Sequence, residues 1–188
     1  MPPKVKVSRE EIIKTCLEIV RTSGTDGINA RNIAGVLGCS TQPIFSNFSS
    51  MEELEEATIL AAYQIYLDFI NEEVNSEKYP KYKAFGMAYI RFAEEEKELF
   101  RLLFMRDRGG APRVSTPDFE ASVDMIMRAN GISRPRAERM HFEMWACVHG
   151  IATMLATSFV PLGREEISEM LTDVYQGLRV RHAGEETR

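Results

Sequence analysis

The chain has 188 residues, 44% of them hydrophobic and 27% charged, with a formal net charge of −5, ordinary globular material that can bury a sizeable core as one large domain or two small ones. No run of about 18 uncharged apolar residues occurs, so no membrane span is expected, and the opening MPPKVKVSRE has neither the apolar core nor the small-residue cleavage site of a secretory signal. Cys16, Cys39 and Cys147 are odd in number and far apart in sequence, so reduced thiols in a cytoplasmic protein are expected rather than bridges.

The charge is unevenly spread. Residues 1–50 carry Lys4, Lys6, Arg9, Lys14, Arg21 and Arg31 against Glu10, Glu11, Glu18 and Asp26, a balance of +2 that leaves −7 for the remainder. A mildly basic head on an acidic body fits salt-sensitive contact with nucleic acid through the head. Lys4 and Lys6 can lie along phosphates as a basic arm. Ser8 can cap a first helix, with Glu11 reaching back in a capping box, and Ile12, Ile13, Cys16, Leu17, Ile19 and Val20 recur at helical spacing over about 8–23.

After a turn at residues 24–27, Asn29 can cap a short second helix bearing Ile33, Ala34 and Leu37, with Arg31 in its first turn beside free backbone N–H groups. Gly38 can end that helix in the left-handed conformation. A third helix over about 41–48 tolerates Pro43 in its first turn. It is expected to bury Ile44, Phe45 and Phe48 while presenting Thr41, Gln42, Ser46 and Asn47. This is the pattern of a helix-turn-helix, in which Gln and Asn can pair with adenine edges and Ser or Thr with several acceptors. No arginine stands on the third helix, so bidentate guanine reading is unavailable from it, and DNA shape must contribute.

Ser50 and Glu53 form a second capping box that opens a long fourth helix, with Leu54, Ala57, Leu60, Ala61, Ile65 and Phe69 as its apolar stripe, ending near residue 76. Past Pro80, the run Phe85, Met87, Ala88, Ile90 and Phe92 reads as a fifth helix. A charged interruption at 94–98 then leads into an apolar sixth at 99–104 and a Gly/Pro-rich loop over 106–117. A seventh helix is expected over about 118–129 and an eighth over 133–159, closed by Pro161. On the eighth, His141, Trp145, His149 and Ala152 share one side, and Met144, Val148, Ile151 and Leu155 an adjoining one. A ninth spans about 163–181 with a stripe that includes Ile167, Met170, Leu171, Val174, Tyr175 and Leu178.

Roughly the first 55 residues carry a family resemblance: the amphipathic first helix, Ile33-Ala34, the Gly38-Cys39-Ser40 turn, Ile44-Phe45-Ser46-Asn47-Phe48 and Glu52-Glu53-Leu54 together resemble the TetR/AcrR transcriptional regulators. Trp145 followed by His149-Gly150 resembles the signature of one C-terminal regulatory subgroup. Phe45 stands where the family usually has tyrosine and Met51 where it usually has lysine, so two phosphate contacts are not available here. The resemblance implies an all-α fold of about nine helices, with a helix-turn-helix head at 1–50 and a helical effector-binding and dimerisation body at 51–188. It also implies a homodimer on a palindromic DNA operator, acting as a repressor that a small-molecule effector releases. Lys4, Lys6, Arg31, Ser40, Thr41, Gln42, Ser46 and Asn47 would form the DNA-binding set.

Of the 10 methionines, Met87, Met105, Met125, Met127, Met140, Met144, Met154 and Met170 all lie well past the head. Flexible thioethers and aromatic walls can shape a pocket for an apolar or amphipathic molecule, for which Phe92, Phe100, Phe104, Met105, Met125, Met144 and Trp145 are candidates. The apolar excess on the last two helices points to a dimer seam through Val148, Ile151, Leu155, Ile167, Leu171, Val174 and Leu178. Cys147 and His149 point to different helix sides, and no ligand quartet has metal spacing. Nucleophile, Walker and dinucleotide motifs are absent from the sequence, so neither a metal, a cofactor nor catalysis is expected. The rival reading is a helical ligand-binding or protein-interaction module whose head does not engage DNA.

Overall fold

The computed structural model describes residues 7–106 and 117–184; the expectations for Lys4, Lys6 and most of the 106–117 loop fall outside them. Among the described residues there are nine α-helices and no strand: α1 (Arg9–Ser23), α2 (Ala30–Leu37), α3 (Gln42–Asn47), α4 (Met51–Asn75), α5 (Lys81–Glu95), α6 (Lys97–Phe104), α7 (Pro117–Asn130), α8 (Arg134–Ala156) and α9 (Arg164–Gly184), with a single 3-10 turn at Thr25–Gly27. The chain divides into two compact units. The first takes in the described residues up to Asp68 together with Glu96–Arg106, and the second takes in Phe69–Glu95 and the described residues from 117 onward.

Local chemistry sets the helix ends in the first unit. The Ser8 side chain accepts from the Glu11 backbone N–H and the Glu11 carboxylate accepts from the Ser8 N–H, satisfying two of the donors that every helix start leaves free. Asn29 caps α2 through Asn32. Gly38 ends it at φ 63°, and the Cys39 N–H returns to the Ala34 carbonyl, a closure that an L side chain would strain. These helices share one core of Val7, Ile12, Cys16, Ile19, Ile33, Ala34, Ile44, Phe48 and Leu54. Arg21 pairs with both oxygens of Glu96 at 2.8 and 2.7 Å, tying α1 to the residue before α6.

Two packing expectations change. On α4 the buried row is Leu54, Thr58, Ala62, Tyr66, Ile70 and Glu73, whereas Leu60 is 70% exposed. Residues three and four apart fall on one side of a helix whatever their types; Thr58 is buried there because its hydroxyl bonds the Leu54 carbonyl, and Glu73 because it is ion-paired.

In the second unit α8 packs against α5, α7 and α9, which accounts for its apolar circumference. Val148, Ile151, Leu155, Ile167 and Leu171, expected at a dimer seam, are all buried by their own chain, with Val174 and Leu178 half-buried. A close approach at Gly86, where an added Cβ would lie 3.3 Å from Val148, lets α5 and α8 meet tightly. Glu73 is buried against Arg164, whose Nη2 reaches both carboxylate oxygens at 2.6 Å, while Arg91 Nη1 lies 3.7 Å away.

Candidate nucleic-acid interface

The core-facing side of α3 is made by Ile44, fully buried, with Phe48 directly after the helix at 2% exposure. Pro43 fits the first turn because the N–H it lacks would have had no intrahelical partner. The opposite side carries Thr41, Gln42, Phe45 and Ser46, all exposed. Phe45 was expected in the core and is instead 52% exposed. On so short a helix Ile44 and Phe48, four residues apart, already fill the inward row, and Phe45, the next residue after Ile44, is turned away by one helical step.

The hydrogen bonds divide the polar candidates further. Ser40, Thr41 and Gln42 are exposed, and Thr41, at the cap position, makes no side-chain cap bond. Ser46 Oγ donates to the Gln42 carbonyl at 2.9 Å, which leaves its lone pairs open. Asn47 differs: it is half-buried, and its amide nitrogen donates to Pro43 O at 2.8 Å and Val7 O at 3.3 Å. Arg31 is exposed at the start of α2, in the first turn after the Asn29 cap.

Behind the face lies a bracing network that sequence reading missed. Arg9 Nη1 donates to Asn47 O at 2.8 Å and to Glu53 Oε1 at 2.9 Å, and its guanidinium sits 4.1 Å from the centre of the Phe48 ring. Glu53 Oε2 accepts from both the backbone N–H and the hydroxyl of Ser49. The expected capping box at the start of α4 is therefore shifted: Ser50 Oγ accepts from Glu53 N, but the Glu53 carboxylate closes on Ser49. The Ser49 N–H and hydroxyl, followed by the Arg9 guanidinium, hold the Glu53 carboxyl down at about 2, since each favours the charged form. The expectation had placed Arg9 only in the charge balance; no local pattern marks it, because its partners lie 38 and 44 residues away.

The seven candidates for an effector pocket do not gather in one unit. Phe100, Phe104 and Met105 belong to the first; Phe92, Met125, Met144 and Trp145 belong to the second. Phe92, Phe100 and Met144 are buried, and Phe100 and Phe104 pack as a ring pair at 5.5 Å. Met125 borders a shallow groove with Lys81, Ala121, Asp124 and Arg128. Trp145 is 39% exposed and stacks on His149 at 4.8 Å, with Phe142 on its other flank at 6.1 Å. Two Tyr–His pairs join α5 to α8, Tyr82 with His141 at 3.0 Å and Tyr89 with His149 at 2.9 Å. Burial lowers the His149 imidazole and raises both tyrosine hydroxyls, so the Tyr89–His149 pair stays neutral near pH 7. Among the described residues no group of three His, Cys, Asp or Glu side chains could hold a metal ion, and no helix is long and apolar enough to cross a membrane.

Residues 82–175 match the model of a family described as tetracyclin repressor-like, C-terminal domain. No curated protein matches the chain in sequence. Among solved structures, a protein of unknown function from Rhodococcus sp. RHA1 is similar with a TM-score of 0.72 at 20% identity, over 93% of this chain and 97% of that one. That likeness carries the fold.

Proposed function

We propose that this chain, which belongs to the tetracycline-repressor-like family, is a homodimeric DNA-binding transcriptional regulator that represses from a palindromic operator and is released by a small-molecule effector. The observation that carries the reading is the outward side of α3 and the turn before it, where Ser40, Thr41, Gln42 and Ser46 stand exposed above the core that buries Ile44 and Phe48. A buried polar group must be paired, whereas an exposed, uncommitted one can pair with a base edge. Gln42 fits adenine, the hydroxyls fit several acceptors, and Arg31 with the backbone N–H groups at the start of α2 fits a phosphate. Lys4 and Lys6 would add to the phosphate contacts. Asn47 enters this reading as a brace, its amide committed to the Val7 and Pro43 carbonyls.

Twofold symmetry would bring two such helices to successive major grooves about 34 Å apart. The dimer seam is assigned to the last two helices, through what their own chain leaves at least partly uncovered: Phe142 and Val180, exposed, and Val174 and Leu178, half-buried. The effector is assigned to the second unit, among Phe92, Met125, Met144 and Trp145. By linkage, an effector that weakens DNA binding must itself bind the DNA complex more weakly than the free protein.

The experiment is binding of the purified protein to the palindromic sequence upstream of its own gene at two salt concentrations, with its mass measured by sedimentation. Expected are a dimer and sequence-selective binding that weakens about a hundredfold between about 50 and 200 mM salt, the response to on the order of four neutralised phosphates. A monomer at micromolar concentration, or binding indifferent to sequence, would leave the rival reading of a helical ligand-binding or protein-interaction module.

A further inference from the structure

We infer that Phe45 is a specificity-determining residue, and that its exposed ring meets the C5-methyl of a thymine on the floor of the major groove. The inference rests on the DNA-binding reading above and names one base that reading leaves open. Among the described residues of the first unit, four large apolar side chains stand exposed: Val36, Phe45, Leu60 and Met105. Of these Phe45 lies on α3, three residues after Gln42, while Ser46 is four after it; each therefore neighbours Gln42 on the exposed side of the helix. A phenyl ring has no hydrogen-bonding group and cannot anchor a phosphate. Among the base edges of the major groove, the apolar feature is the thymine methyl.

The neighbours point to the same base pair type. No cation stands on Gln42–Asn47, so bidentate pairing with guanine is not available from this helix. Gln42 suits adenine N6 and N7. An adenine reader and a methyl reader one turn apart together select A·T pairs, each by a different chemistry. The core gives Phe45 no alternative place, because Ile44 and Phe48 already occupy the inward row.

The test uses the full chain and a duplex enriched by it from a random pool. Each thymine of the enriched half-site is replaced by deoxyuridine, which removes the methyl and leaves base pairing intact. Expected is one position, or two adjacent ones, at which the replacement weakens binding about fourfold, the equivalent of one methyl group withdrawn from water. Phe45→Ala should bind the thymine and uracil duplexes alike, and because residue 45 lies outside the core its melting temperature should match wild type. An enriched duplex bound equally well with uracil at every position overturns the inference while leaving the regulator reading standing. So does Phe45→Ala retaining the uracil effect. A pool that yields no enriched sequence overturns both.

Discussion

Asn47→Ala separates a brace from a reader. The substitution removes a side-chain nitrogen that donates to Pro43 O at 2.8 Å and Val7 O at 3.3 Å, leaving two partly buried carbonyls without that donor. A net contribution of about 1 kcal/mol per bond, discounted for the longer one, puts the loss at about 1.5 kcal/mol. At a typical urea slope of about 2 kcal/mol per molar, the midpoint should fall by roughly 0.8 M. Because the domain stays folded in buffer, affinity for the enriched operator should fall less than about threefold, equally on every single-base variant of the site, since the loss is one of stability. A base reader behaves in the opposite way: its loss removes about 1–3 kcal/mol of discrimination at one position and leaves the others untouched. Urea melts alongside binding to a set of single-base operator variants measure both quantities. An unmoved midpoint with selectivity lost at one base pair would refute the brace.

Glu53→Gln tests the network from its other end. The carboxyl is held near 2 against an ordinary 4.5, so its stabilising contribution is present above about pH 4.5 and is lost as pH falls toward 2. Wild type should therefore melt higher than Glu53→Gln at pH 6, and the gap should narrow through that window and close at its foot; thermal melts giving a gap independent of pH would contradict the assignment. In the second unit, Glu73→Ala leaves Arg164 without its carboxylate and Arg91 with Glu72 and Glu95 alone. Because Arg164 is 43% exposed and rehydrates easily, the cost should be about 2 kcal/mol rather than the 3–5 kcal/mol of a wholly buried pair, read as the drop in urea midpoint.

The parts of the fold that follow from neighbouring residues were legible in the sequence. Ser8 with Glu11, Asn29 before α2 and Gly38 after it are settled within a few residues of chain, and each behaves as its local chemistry requires. The break between α5 and α6 at Glu96 fell inside the expected charged stretch. What failed was the inference from residue type to face. Leu60 is apolar and exposed while Thr58 and Glu73 are polar and buried. The apolar excess of α8 packs on three helices of its own chain, which encloses Val148, Ile151 and Leu155, and Ile167 and Leu171 on α9 are enclosed as well. Periodicity counts how many sides of a helix must be covered; it does not say whether the cover is the same chain or a second copy.

The same limit explains the candidate interface. On α3 and at its cap the sequence shows four polar side chains, Thr41, Gln42, Ser46 and Asn47, and nothing local distinguishes Asn47 from Gln42. The distinction comes from Val7, 40 residues away, and from Arg9, whose bonds to Asn47 and Glu53 span 38 and 44 residues. Once Asn47 has satisfied its donor inside the protein, turning outward would cost it those bonds before any base could repay them. Gln42 has no such bond to surrender. Phe45 reverses the case: its apolar type suggested burial, but the inward row was already taken, and an exposed ring between two polar side chains has contact to gain only from outside. Commitment to internal partners, more than residue type, sorts the side chains that hold α3 from those free to meet a ligand.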